Sequence, residues 1–295
     1  MSAAASRTIA LPHCRVSYAE YGAGDGIPVL YCHGAPGTHL EGEAFDAAGV
    51  AAGIRVVAVD RPGMAESSLP AGERVADWVG TVAALADRLG LGRFGVIGVS
   101  GGGPFALAVA AGLPGRVTGV ALISAPAPLG EQADAADLDP VARRRRRGLN
   151  VLRRAPFLVY PMAMEMSLAI RRPKGVAGLV AQMADVDRER VEGDPELADK
   201  LEANLRRSFE QGSRGFATDI RLVFTREWGF RLSDVTVPVQ VWHGEADGNV
   251  PADDARRLAA ALPDARLHLV PGAGHLLFVD RPDDILASVE IGNTP

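Results

Sequence analysis

Short apolar runs alternate with amphipathic stretches along much of this chain. Residues Ile27–Cys32, 55–60, Phe94–Val99, 117–124, 237–243 and 266–270 are strand-like, most of them dominated by Val, Ile, Leu and Ala. Such runs predict strands buried on both faces, because a strand with one wet face would alternate apolar and polar positions. Residues 7–11 and 14–21 predict a leading hairpin, and 77–89 predicts a helix whose Val79, Val82, Ala83, Leu85, Ala86 and Leu89 share one face. This alternation implies an α/β fold, a mostly parallel twisted sheet with helices on both faces.

The pattern changes after Ser124. Residues 125–128 read Ala-Pro-Ala-Pro and break the chain, and the segment beyond them is helix-like with no clear strand before Val237. We therefore expect an α/β core made of residues 1–128 and 234–295, with 129–233 forming a helical lid over the site.

Candidate chemistry is concentrated where strands end. The run Phe94–Val99 leads into Ser100 within Gly98-Val99-Ser100-Gly101-Gly102, a G-x-S-x-G pattern. A chain that leaves a buried strand, turns sharply and enters a helix holds its serine exposed at a strained apex. Glycines are needed beside it, since a side chain at Gly98 or Gly102 would meet the neighbouring strand or helix. A serine hydroxyl is a weak nucleophile and needs a histidine to accept its proton and a carboxylate to orient that histidine. Downstream, Asp247 lies in the loop after strand 237–243 and His275 in the loop after strand 266–270. The carboxyl ends of parallel strands share one edge of a sheet, so three loops distant in sequence are able to bring Ser100, Asp247 and His275 together. Taken singly, each has a plainer reading: Asp247 as a helix cap or turn residue, Glu245 as the acid in its place, and His275 as a structural histidine. The strand Ile27–Cys32 is followed by His33-Gly34-Ala35-Pro36-Gly37, small residues that let backbone N–H groups approach an oxyanion. The expected donors are Gly101, just after the nucleophile, and Ala35.

These motifs resemble the α/β-hydrolase fold family, in particular its large lid-bearing group of small esterases, lactonases and proline iminopeptidases. The resemblance rests on His33-Gly34-Ala35-Pro36-Gly37, Asp60-Arg61-Pro62-Gly63, the Ser100 elbow, the Asp247 loop and Gly272-Ala273-Gly274-His275, spread over nearly all of the chain outside 129–233. It implies the α/β-hydrolase fold, a serine hydrolase, and the chain order Ser, Asp, His for the triad. Asp247 rather than Glu245 occupies the matching place in the Gly-x-x-Asp-x-x-Val-Pro run. Two departures stand out. The Asp-Arg-Pro-Gly run continues as Met64-Ala65-Glu66-Ser67 rather than with a second glycine and a serine, and the residue after the nucleophile is Gly101, where proline iminopeptidases usually carry tryptophan. The second weakens an aminopeptidase reading. The lid acids that such enzymes use to hold a free amino group have no assigned place in this sequence; Glu165 is a candidate, and a surface helix carboxylate is the plainer account of it.

The expected reaction is acyl transfer from an ester, thioester or lactone of small to medium size and apolar character, through an acyl-enzyme on Ser100. Alternatives on the same scaffold are a proline iminopeptidase-like aminopeptidase, a biosynthetic lyase, cyclase or acyltransferase, and a ligand-binding receptor. No cofactor or metal is needed; the partner is a small-molecule substrate, and oligomeric state is unknown.

Composition adds limits. With 295 residues, 47% of them hydrophobic, the chain is large enough for one such core plus an insertion. A net charge of -5 gives no general affinity for nucleic acid or an anionic membrane. Cys14 and Cys32 form no disulfide framework, and the first eleven residues lack the basic start and long apolar stretch of a secretory leader, so the expectation is a cytoplasmic protein with reduced thiols. The arginines at 143–147 read as a solvated face in a chain with only two lysines, Lys174 and Lys200; the functional version is attraction of an acidic substrate. Tyr160, Met162, Met164 and Met166 either line an apolar pocket or pack the lid, and Trp228-Gly229-Phe230 is expected to anchor the lid's return. His13 and His268 are expected on strands, His39 at a helix start and His243 at a strand end, with no metal-ligand spacing.

Overall fold

Eight strands form one sheet in the computed structural model, which describes residues 5–69, 72–128 and 140–289. The strands are β1 (Arg7–Ala10), β2 (Arg15–Gly22), β3 (Ile27–Cys32), β4 (Ile54–Val59), β5 (Phe94–Val99), β6 (Val117–Ile123), β7 (Val239–Gly244) and β8 (Ala265–Val270), in spatial order β1-β2-β4-β3-β5-β6-β7-β8. The β1–β2 and β2–β4 pairs are antiparallel, and every other pairing is parallel. His13 is not on a strand. It sits in the β1–β2 turn, where Pro12 can donate no ladder bond and the Leu11 N–H closes onto the Cys14 carbonyl at 2.8 Å.

The helices are α1 (Asp46–Ala52), α2 (Trp78–Arg88) and α3 (Gly103–Gly112) in the first half. Between β6 and β7 come α4 (Pro140–Arg154), α5 (Val159–Arg171), α6 (Gly175–Val180), α7 (Asp185–Glu192), α8 (Pro195–Ser208) and α9 (Arg214–Phe224). After β7 follow α10 (Ala252–Ala261), α11 (Leu277–Asp280) and α12 (Pro282–Ser288). Successive side chains of a strand point to opposite faces, and in the central strands β3 to β6 both sets are buried. On β4, Val57 and Val59 join the core under α2, α3 and α10, whereas Val56 and Ala58 join the core under α1, α12 and the inner side of the α4–α9 insertion. That double burial is why the strands read as unbroken apolar runs.

The chain adds β4 on one side of β3 and then β5 on the other, so the loops after β3 and β5 diverge and leave a crevice at their carboxyl ends. The α4–α9 insertion lies against this edge. In α5, Met162 and Met166 share an inward face, while Tyr160 and Met164, one turn apart on the other side, are about half exposed. Trp228 is buried after α9, stacks on Phe230 with ring centroids 5.9 Å apart, and donates its indole N–H to the Val223 carbonyl at 2.9 Å. The arginine run falls on α4; Arg147 is exposed, and the side chains of 143–146 lie outside the described residues. Among the described residues, no helix is long and apolar enough to cross a membrane.

Candidate active site

Ser100 follows the fully buried β5 and takes up a left-handed backbone conformation, φ +49°. Such a conformation costs a non-glycine residue on the order of 1–3 kcal/mol and persists only where the surroundings enforce it. They do so by leaving no room. A Cβ at Gly98 would stand 2.7 Å from that of Ala106 and 2.8 Å from the Gly103 Cα, and one at Gly102 only 2.1 Å from the Cys32 carbonyl oxygen. The elbow is thus wedged between α3 and the end of β3.

His275 lies in the loop after β8, and its Nδ1 is 2.8 Å from Oδ2 of Asp247, in the loop after β7. A carboxylate only accepts, so Nδ1 carries the proton and donates it, leaving the Nε2 lone pair free to act as a base. The second oxygen of Asp247 accepts the N–H groups of Asn249 (2.7 Å) and Val250 (2.9 Å), which restrains the carboxylate from both of its oxygens. Burial disfavours the imidazolium of His275, but the Asp247 charge and hydrogen bond, with Asp187 and Glu41 adding, carry its pKa above the ordinary histidine value. Burial likewise opposes ionisation of Asp247, and His275, His243 and the Val250 N–H outweigh it, so its pKa is lowered. Glu245, the competing acid, is exposed and turned to solvent.

The loop after β3 is held from beneath. Arg61, fully buried, donates to the carbonyls of His33 and Gly34 and pairs with Asp219 of α9 through Nε (2.9 Å) and Nη2 (2.7 Å). His33 accepts the Arg61 N–H at 3.1 Å, and burial beside that guanidinium keeps the ring neutral, its pKa well below the usual value. Glu41 accepts the Gly34 N–H (2.7 Å) and the Asn204 amide (3.0 Å), and burial raises its pKa. Ala35 is thereby brought against Gly101: a Cβ built on Gly101 would stand 2.7 Å from that of Ala35 and 3.4 Å from its backbone nitrogen.

A cavity of about 500 Å³ opens over these groups, and Ser100, Ala35 and His275 line it together. Its walls are mostly apolar, with Met166, Leu179, Val180, Met183, Leu201 and Leu205 coming from the insertion and Leu276, Phe278 and Val279 from the core. Of the acids at its rim, Glu43 and Glu196 share Lys200, and Asp194 caps α8 and pairs with Arg190. Glu165 is exposed on α5, away from this lining.

Three further histidines, His39, His243 and His268, have structural partners. His39 opens the short turn His39–Phe45 and meets Asp60 at 2.6 Å, His243 meets the Val250 carbonyl at 2.9 Å, and His268 stacks on Trp242 and meets Gln240 at 2.8 Å. Among the described residues, no group of His, Cys, Asp and Glu is arranged to hold a metal ion. Burial pushes the Cys32 thiol up to about 12, leaving it un-ionised beside the loop.

Sequence reasoning missed Asp187, Asn204 and Asp219, each buried and each reaching from the insertion to one of the site's loops. Their only signal was a polar residue on the apolar side of a helix.

A model of the alpha/beta hydrolase fold matches residues 27–282. The chain belongs to the alpha/beta-hydrolase fold family. This hydrolase is 28% identical to the 2-hydroxy-6-oxononadienedioate/2-hydroxy-6-oxononatrienedioate hydrolase of Burkholderia vietnamiensis, over 88% of its own length and 84% of that enzyme. A shorter match, 38% identical, covers 24% of the hydrolase and 28% of the pimeloyl-[acyl-carrier protein] methyl ester esterase of Aromatoleum aromaticum. Among solved structures, an alpha/beta hydrolase fold protein from Nakamurella multipartita superposes with a TM-score of 0.70 at 27% identity, covering 97% of this chain and 98% of that one.

Proposed function

We propose that this hydrolase cleaves a small to medium apolar ester, thioester or lactone through an acyl-enzyme on Ser100, with His275 as general base, Asp247 as its orienting acid, and the N–H groups of Ala35 and Gly101 as the oxyanion hole. The observation that carries the reading is the 2.8 Å Nδ1–Asp247 contact on a histidine that shares its cavity with the strained Ser100.

In the first step Nε2 of His275 takes the Ser100 proton as Oγ bonds to the acyl carbon, and the carbonyl electron pair moves onto oxygen, facing Ala35 and Gly101. Each such donor is typically worth about 3 kcal/mol of transition-state stabilisation. Collapse expels the alcohol or thiol, which receives the proton from His275. Water, deprotonated at the same Nε2, then attacks the acyl-enzyme, and the acid leaves as Ser100 regains its proton. The apolar wall supplied by the insertion favours an apolar acyl or alkyl group, and residues 129–233 act as a lid over a core of 1–128 and 234–295. Of the described acids that line the cavity, Glu43 and Glu196 are matched by Lys200, Asp194 by Arg190 and the α8 N-terminus, and Glu41 by the Gly34 N–H and the Asn204 amide, which favours esters over amino-terminal proline amides.

A fluorophosphonate probe should label the wild type and spare Ser100→Ala. Undiminished labelling of the variant removes Ser100 as nucleophile, and a side-by-side panel of esters, thioesters, lactones and proline amides ranks the substrate classes.

A further inference from the structure

Helix α7 has the sequence Asp-Val-Asp-Arg-Glu-Arg-Val-Glu, whose charged positions would ordinarily face water. Asp187 does not; it is 3% exposed. Burying a carboxylate is costly unless its oxygens are hydrogen-bonded, and both are. Oδ2 accepts the backbone N–H of His275 and Oδ1 that of Leu276, each at 2.9 Å. The approach depends on Gly274, since a Cβ there would fall 2.3 Å from Oδ1. The same end of α7 also meets the loop of the acid: a Cβ on Gly248, next to Asp247, would stand 2.8 Å from that of Ala184, which immediately precedes the helix. One short helix of the insertion therefore touches the loops of both His275 and Asp247.

We propose that Asp187 is a positioning residue of this site: by holding the peptide N–H groups of His275 and Leu276 it ties the imidazole's backbone to the insertion, so that the base is aligned only while the insertion is seated on the core. The proposal rests on the reading of His275 as general base. Asp187 does not touch the reacting atoms; it fixes where the imidazole's Cα stands, and a misplacement of about 1 Å at such a group costs on the order of a hundredfold in rate. It also contributes charge. The groups facing His275 are Asp247 from the β7 loop, Asp187 from α7, Glu41 from the turn His39–Phe45, and His243 at the end of β7 behind Asp247. Losing one of the three carboxylates should lower the imidazolium pKa.

The test uses the full chain as wild type, Asp187→Ala and Asp187→Asn. The readouts are the rate of fluorophosphonate labelling and, on one p-nitrophenyl ester, kcat and KM from acid to neutral pH, with thermal unfolding alongside. Asp187→Ala is expected to label Ser100 about ten to a hundredfold more slowly, with the loss in kcat rather than KM. Asp187→Asn, which keeps the shape and one acceptor but no charge, should recover part of the rate and move the acid limb of the profile to lower pH. If the alanine variant does not fold, the isosteric asparagine variant still decides. Folded variants with wild-type labelling rates and an unmoved acid limb overturn the proposal, as does a loss confined to KM. A wild type that the probe leaves unlabelled at Ser100 overturns the underlying reading, and the proposal with it.

Discussion

In the proposed mechanism the imidazole of His275 has to be neutral to accept a proton at Nε2, and in that neutral form its one ring proton has to sit on Nδ1. Asp247 enforces the second condition because its Oδ2, 2.8 Å away, is able only to accept. Replacing Asp247 by Asn keeps the shape but offers an amide N–H in place of one oxygen, which favours the wrong tautomer. We expect Asp247→Asn to lower kcat by about four orders of magnitude while leaving the fold intact, as measured by steady-state kinetics and circular dichroism. The sign of the pH dependence follows from the raised pKa of His275. In the proposed mechanism the active form is deprotonated, so kcat/KM is expected to fall as pH drops through that pKa, with a midpoint above the ordinary histidine value of about 6.5. A midpoint below that value in the wild type would contradict the account given of the groups around the ring.

At the scale of elements, the strand β5, the elbow and α3 form one unit whose geometry is set by missing side chains. Gly102 faces backbone rather than a movable side chain, with the Cys32 and His33 carbonyl oxygens 2.1 and 2.5 Å from where its Cβ would be. Gly102→Ala should therefore push the elbow off the end of β3. The expected result is a thermal midpoint lowered by several degrees and loss of probe labelling, read by calorimetry and mass spectrometry. This unit was legible in the sequence because its rules are local: an apolar run, then glycines at fixed spacing. The strands were legible for a related reason, since burial on both faces leaves a continuous apolar signature in β3, β4, β5 and β6. The boundary of β7 was less so, because Pro238 cannot donate to the ladder and pairing begins at Val239. His13 was misplaced because it falls in the turn between the two strands of the leading hairpin, next to Pro12, which cannot donate to the ladder.

At the scale of the whole molecule, what the sequence hid are contacts between the insertion and the core. Asp187 and Asn204 sit in helices rich in charge and Asp219 in a largely apolar one, and a polar residue on the apolar side of a helix does not say which distant loop it docks on. Asp219 reaches Arg61, which in turn holds the His33 and Gly34 carbonyls, and Asn204 accepts from the N–H and hydroxyl of Thr38 while donating to Glu41. These pairs are separated by well over a hundred residues in sequence, and only the tertiary fold relates them. The methionines of α5 were ambiguous until the helix was oriented, with Met166 alone of Tyr160, Met162, Met164 and Met166 lining the cavity. The molecule thus joins a core that presents Ser100, His275 and Asp247 at one sheet edge to an insertion that walls the cavity above them. The most direct test of the central claim is to quench the wild type during turnover of a p-nitrophenyl ester and map the acyl group by peptide mass spectrometry. The account predicts the acyl mass on the peptide containing Ser100, and its loss when His275 is replaced by Ala, because the same imidazole that activates the water must first take the Ser100 proton. Turnover that leaves the acyl group on another residue, or proceeds undiminished in Ser100→Ala, would contradict it.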